Sequence, residues 1–94
     1  MNFTHVDGKD LGKITLYALS TCPWCNKTKK FLEDNSISYD FIDVDLLAGE
    51  ERDTTIEAVT KWNPRCSFPT IVFNNNKCIV GFDEKEMKDY LKLS

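Results

Sequence analysis

The chain has 94 residues, of which 41% are hydrophobic and 29% charged, with a formal net charge of −3. That length suits one domain, 1–94, and not two, and the weak acidic balance argues against a nucleic-acid binder, which would carry a basic patch. No apolar run approaches the roughly 18 residues of a membrane-spanning helix, and the polar stretch Met1 to Lys13 lacks the apolar core of a secretory signal, so cytoplasmic residence with no membrane partner is expected.

Residues 1–12 read as an N-terminal extension. Lys13 to Leu19 is the first predicted strand, with Ile14 and Leu16 alternating with polar neighbours. Ser20-Thr21 breaks it and supplies helix-capping chemistry. Pro23 suits a first helical turn, where its missing N–H costs nothing. The helix then continues to about Asp34 through Cys25, Lys29, Phe31 and Leu32. Ser38 to Val44 is a second strand, with Tyr39, Phe41 and Ile42 as its apolar content. Asp45 to Glu51 is a turn leading into a second helix, whose Ile56, Val59 and Trp62 share one face and read as core. Asn63-Pro64 ends that helix, because the residue before proline disfavours helical geometry.

Phe68 to Phe73 is the third strand. Asn74-Asn75-Asn76 is a turn of residues that tolerate left-handed conformations, and Lys77 to Val80 returns as a fourth strand ended by Gly81. Asp83 starts a last helix with Met87, Tyr90 and Leu91 on one face. The order β-α-β-α-β-β-α implies an α/β fold: a four-stranded mixed sheet with helices on both faces, one right-handed parallel crossover and one hairpin.

The four cysteines are unevenly spaced, a tight Cys22-Pro23-Trp24-Cys25 followed by distant Cys66 and Cys78. A disulfide scaffold substitutes for a missing core, and this chain has enough Ile, Leu, Val and Phe to build one. A structural zinc site needs a second ligand pair. Cys66 and Cys78 are not paired in sequence, and the single histidine, His5, lies in the polar N-terminal stretch. A C-x-x-C between a strand and a helix points instead to thiol–disulfide exchange. That chemistry needs an exposed thiolate and a second thiol that resolves the mixed disulfide. Cys22 stands at the helix start, where backbone N–H groups and the helix dipole favour negative charge, with Lys27, Lys29 and Lys30 adding positive potential. Cys25, one turn on and on the same side, is the candidate resolving thiol and the more buried of the two. Pro23 stiffens the turn. Trp24 is expected beside Cys22 as an exposed apolar face for a partner.

Other residues carry plainer expectations. Cys66 and Cys78 read as small hydrophobes, Cys66 with a second reading as a redox-active thiol near the dithiol. Asp83 and Glu84 are mainly helix N-terminal acids, with ligand contact as their second reading. Asp43, Asp45, Glu50 and Glu51 read as solvated acidic surface.

Over about residues 13–93 the chain resembles the glutaredoxin branch of the thioredoxin superfamily. The resemblance rests on Tyr17 to Cys25 with its Cys-Pro-Trp-Cys, on Ser67-Phe68-Pro69 before a strand, and on Gly81-Phe82-Asp83 before the last helix. It implies a thioredoxin-like fold and a cis-proline at Pro69 packed against the dithiol. It also implies that Phe68 offers backbone groups to an extended thiol substrate. The family's dithiol members usually have Cys-Pro-Tyr-Cys, so Trp24 is a variation. They usually place a basic residue three positions before the first cysteine to hold a glutathione carboxylate, where this chain has Leu19. They also carry Gly-Gly-x-Asp at the last helix to receive the glutathione amino group, where this chain has Gly81-Phe82-Asp83-Glu84. Arg65 is either a substitute cation or a solvated loop arginine.

The implied activity is reduction of protein or glutathione mixed disulfides, with Cys22 as nucleophile and Cys25 as resolving thiol. The substrate-binding set is Trp24, Arg65, Phe68, Pro69, Gly81, Phe82, Asp83 and Glu84. The Gly-Phe pair looks more like glutaredoxin-like proteins that receive electrons from thioredoxin reductase. A monomer with no bound cofactor is therefore expected, serving disulfide-containing proteins and drawing electrons from glutathione or a thioredoxin reductase. Some glutaredoxin-like proteins share an iron–sulfur cluster between two subunits, and Pro23 resembles members that do this poorly.

Overall fold

The computed structural model describes residues 2–93, so Met1 and Ser94, the ends of the expected domain, lie outside the described residues. Along the chain come β1 Thr4–Val6, β2 Ile14–Ala18, α1 Pro23–Asp34, β3 Tyr39–Asp43, a 3-10 turn Val44–Leu46, α2 Gly49–Trp62, β4 Thr70–Phe73, β5 Lys77–Val80 and α3 Glu84–Leu91. The strands form one sheet in the order β1-β3-β2-β4-β5. β2 runs parallel to β3, with Leu16 opposite Phe41, and antiparallel to β4, with Leu16 opposite Ile71. β4 and β5 make the expected hairpin, with Ile71 opposite Ile79. Its turn uses the left-handed backbone that asparagine tolerates, with φ of 55° at Asn74 and 52° at Asn75.

Side-chain alternation along β2 divides the core into two layers. Ile14, Leu16 and Ala18 face α1 and α3, where they meet Phe31, Leu32 and Met87. Tyr17 faces the other way, toward Ile42, Val44, Val59 and Val72 beneath α2. Helices thus cover both faces of a mixed sheet, as the element order implies. Val59 is fully buried, whereas Ile56 and Trp62 are partly buried and pack at the rim, so Trp62 is less of a core residue than its helical phase predicts. Among the described residues no helix is long and apolar enough to cross a membrane.

The sheet has five strands where four are expected. The additional strand, β1, pairs antiparallel with β3, His5 opposite Asp40, and occupies an edge. Thr4 and His5 are exposed, so no apolar alternation marks this segment in the sequence. The extension is fixed further along as well. Lys9 bridges to Ile37 through paired backbone hydrogen bonds around Ser36 and Ser38. Gly8 permits that approach, since a β-carbon there would come within 2.6 Å of the Ser36 carbonyl oxygen.

His5 sits between two carboxylates, with Nδ1 2.8 Å from Asp40 and Nε2 3.1 Å from Asp7. The hydrogen bond to Asp40, helped by both negative charges, raises its pKa above the usual 6.5. A raised folded-state pKa contributes stability that is fully present below the unfolded value and is lost as pH rises through the folded one. An NMR titration of the His5 imidazole should therefore show a midpoint above 6.5, and Asp40→Asn should bring it back toward that value. An unmoved midpoint in the variant would show that Asp40 does not hold the ring.

Candidate active site

β2 ends at Ala18, and the chain turns through Leu19, Ser20 and Thr21 before α1 begins at Pro23. The turn is tied down from the far side of β3. The Ser20 N–H donates to the Asp45 carboxylate at 2.8 Å, and the Ser20 hydroxyl donates to its second oxygen. These hydrogen bonds hold the Asp45 carboxyl below the usual carboxylate range. Asp43 at the end of β3 accepts from the Lys29 ammonium at 2.9 Å, and the two side chains are only 15% and 17% exposed. Asp43 is thus not the solvated acid its composition implies, whereas Asp45 is exposed as expected, and both anchor the α1 end of the site. Glu50 and Glu51 are exposed in the first turn of α2, as expected.

Cys22 is the N-cap of α1, with extended backbone geometry, and its Sγ accepts a hydrogen bond from the Cys25 N–H at 3.3 Å. Pro23 occupies the first helical turn, where no donor is missed. Cys22 is therefore partly exposed at the N-terminal end of the helix. Cys25 is fully buried. Burial, and next the hydrogen bond with Cys22, push its thiol up to about 12, while the Lys29 charge works the other way. The two thiols are chemically unequal although they stand one turn apart.

Trp24 is 55% exposed. Its ring carries the Lys27 ammonium on one side, 4.5 Å from the centroid, and stacks on Phe82 at 6.1 Å. Phe31 meets Phe82 edge-on at 6.4 Å from beneath. Lys30 instead pairs with Asp34 at the far end of α1, so the three lysines of this helix have three different surroundings.

Across from the dithiol helix, the Phe68–Pro69 peptide bond is cis. The Pro69 carbonyl accepts from the Gly81 N–H at 2.8 Å, which sets the end of β5 beside it. Gly81 has φ of 81°, a conformation that favours glycine. Trp24, Phe68, Pro69, Gly81 and Phe82 then line one cleft of about 240 Å³. These five belong to the eight-residue substrate-binding set expected from the sequence, and the fold brings them together.

Other proposed residues stand apart from the cleft lining. Asp83 is the N-cap of α3, its carboxylate accepting from the Glu86 N–H at 3.0 Å. Glu84 pairs with Lys88 on the exposed side of the same helix. Arg65 lies in the exposed turn after α2, its N–H donating to the Asn63 side-chain carbonyl. Leu19 and Cys66 pack on the α2 side of the sheet, the face opposite Cys25. Cys78 lies in β5, partly buried, with its thiol pushed up by that burial and then by Glu86. All four cysteines are free.

One supporting residue shows in the sequence only as a helix stop. Asn63 is buried, and its side-chain amide donates to the Ser67 carbonyl, the Ser67 hydroxyl and the Thr70 hydroxyl at 2.9–3.1 Å. The Thr70 hydroxyl in turn donates to the Ser67 carbonyl at 2.8 Å. This network shapes the loop that delivers Phe68 and Pro69 to the cleft. A larger hollow of about 590 Å³ lies around His5, Lys13, Ser38 and Asp40 at the other end of β2 and β3, away from the thiols.

The family model for glutaredoxin matches residues 14–79, a span that holds both thiols of the motif and the cis-proline. The glutaredoxin from Methanosarcina mazei Go1 is 48% identical, with a TM-score of 0.87 over 95% of this chain and 86% of that one. Methanoredoxin from Methanosarcina acetivorans is 49% identical, with a TM-score of 0.86 over 89% of this chain and 88% of that one. A glutaredoxin-like 8.6 kDa protein in the rubredoxin operon of Clostridium pasteurianum is 34% identical over 74 residues, 79% of this chain and 91% of its own. The fold is thioredoxin-like, and the chain belongs to the glutaredoxin family.

Proposed function

We propose that this protein reduces protein or glutathione mixed disulfides, with Cys22 as nucleophile and Cys25 as resolving thiol. The inequality of the two thiols supports this most directly. Cys22 is partly exposed and caps a helix N-terminus, and Cys25 is buried with its thiol pushed up to about 12. The Cys22 thiolate attacks a substrate disulfide, forming a mixed disulfide and releasing one substrate sulfur as a thiolate. Cys25 then bonds to Cys22 Sγ and releases the second. The substrate gains two electrons, and the protein is left with a Cys22–Cys25 disulfide. An extended substrate segment lies along Phe68, with its side chains against Trp24, Pro69 and Phe82. A substrate amino group would meet Asp83 or Glu84 at the start of α3, and a carboxylate would call on Arg65.

Phe82 favours a second reading of the electron source. Its ring stacks on Trp24 and makes that wall of the cleft aromatic, and the Lys29 ammonium is already held by Asp43. Such a surface suits protein partners, including a thioredoxin reductase, better than a small charged peptide. Four free thiols also fit a reducing compartment such as the cytoplasm. In the test, reduced protein is mixed with a glutathionylated protein, and each dithiol should consume one mixed disulfide. Turnover is then compared with glutathione and its reductase, and with thioredoxin reductase. A reduced protein that consumes no mixed disulfide would be a binding module and not a reductase.

A further inference from the structure

We propose that Lys29, held in place by Asp43, is a positioning residue for the resolving step: its ammonium is the fixed positive charge under which Cys25 gives up its proton. This rests on the resolving role of Cys25 proposed above. Lys29 follows Cys25 by four residues on α1, so the two project from one side of the helix. Lysine side chains are mostly exposed, yet this one is 17% exposed. It is gripped from two directions, by the Asp43 carboxylate at 2.9 Å and by the Phe41 ring, 4.3 Å from its centroid. Lys30, on the same helix, forms an ordinary exposed pair with Asp34.

An ion pair this poorly exposed costs desolvation, and neutral side chains of similar size would pack as well or better. What a neutral pair would not supply is a positive charge in a weakly screened place. The charge acts on the right atom: a backbone hydrogen bond with Leu19 and, after it, the Lys29 charge lower the Cys25 thiol against the effect of burial, and Lys29 is the cation of the set. It also lowers the Asp45 carboxyl that ties Ser20, so its field spans the active-site turn. The charged and thiol groups that act on Cys25 are Cys22 and Lys29 on the dithiol helix, with Asp43 of β3 paired to Lys29 and Asp45 beyond it tied to Ser20. The same cluster also holds the Tyr39 phenol of β3, with Tyr90 of α3 packed against it, while Ile71, Phe73, Ile79 and Met87 from β4, β5 and α3 are apolar.

In the step itself, the Cys25 thiol loses its proton to solvent and the thiolate bonds to Cys22 Sγ. The bond between Cys22 and the substrate sulfur breaks, and the departing thiolate takes up a proton. Lys29 keeps its proton throughout.

The test is a quenched single turnover of the full chain with a glutathionylated protein over a pH series, reading capture by Cys22 and resolution by Cys25 separately. Lys29→Gln should slow resolution about tenfold at pH 7 and move its pH profile up by about one unit, so that mixed disulfide accumulates. Capture should change far less. Lys29→Arg retains the charge and should restore most of the resolution rate. Lys29→Gln leaves Asp43 without its partner, so the neutral double variant Lys29→Gln/Asp43→Asn is measured beside it and should resolve as slowly. An unshifted profile in the folded double variant, or equal slowing of capture and resolution, overturns the assignment to Lys29. If Cys25→Ser accumulates no mixed disulfide, the resolving role of Cys25 is what fails.

Discussion

Cys22→Ser should abolish disulfide reduction, whereas Cys25→Ser should capture its substrate and then stall as a covalent adduct. The serine hydroxyl does not ionise near neutral pH and does not displace a thiolate from a disulfide, so capture stops. The substitution is also gentle on the fold. Cys22 is the N-cap of α1, and serine is among the preferred N-caps. Lost activity with an unchanged unfolding midpoint therefore isolates the chemistry from folding. At position 25 the sulfur is buried, and in the proposed mechanism it attacks only after Cys22 has done so. Serine there leaves Cys22 bonded to the substrate with no neighbouring thiol to release it. Intact-mass analysis after mixing with a glutathionylated protein should show a stable adduct on Cys25→Ser and none on Cys22→Ser. The opposite pattern would exchange the two roles. Because burial, and next the hydrogen bond with Cys22, raise the Cys25 thiol to about 12, resolution in the parent protein should accelerate as pH rises through the neutral range.

The largest expected effect on stability is that of Phe31→Ala. Phe31 is 6% exposed and joins α1 to the cluster that contains Leu16, Phe73 and Met87. Emptying such a site costs about 3–5 kcal/mol, against a total of about 5–15 kcal/mol for a domain of ordinary stability. Phe31 also supports Phe82 edge-on, and Phe82 stacks on Trp24. The variant should therefore lose both stability and the definition of the cleft wall. Leu32→Ala is the comparison. Leu32 is fully buried in the same cluster, so its loss should cost about 2–5 kcal/mol without touching the aromatic stack. Urea unfolding followed by tryptophan fluorescence reads both. A Phe31→Ala cost of about 1 kcal/mol, typical of an average substitution, would show that the side chain is not packed as described.

The parts of this fold that can be read from the sequence are those with local causes. Pro23 just after Cys22 fixes where α1 begins, and the asparagine run with its left-handed backbone fixes the β4–β5 turn. The cleft is legible because five of its residues sit at three punctuation points: the C-x-x-C turn, the Phe68-Pro69 strand start and the Gly81 strand end. What stayed hidden depends on distant partners. β1 is a short exposed edge strand, recognisable only once β3 is there to pair with it. Asp43 looks like a surface acid because Lys29 is 14 residues away in sequence, and the tie from exposed Asp45 to Ser20 is hidden because the two are 25 residues apart. Asn63 differs, since its partners Ser67 and Thr70 are only four and seven residues away, but the loop conformation that brings them to its amide has no local signal. Trp62 follows the apolar phase of α2 yet falls at the rim, because periodicity gives a direction and not a depth.

The atom that caps α1 is also the atom that the proposed reaction puts into a disulfide. In a Cys22–Cys25 disulfide that sulfur would be a poorer acceptor for the Cys25 N–H, and the helix would lose part of its cap. Capping therefore stabilises the reduced protein relative to the oxidised one. Side-chain caps contribute about 0.5–2 kcal/mol, and about 1.4 kcal/mol corresponds to about 30 mV for a two-electron couple. A cap of about 1 kcal/mol thus moves the midpoint potential by about 20 mV in the oxidising direction. The start of one helix, set by the placement of a cysteine before a proline, is by this linkage one of the determinants of how readily the protein accepts electrons.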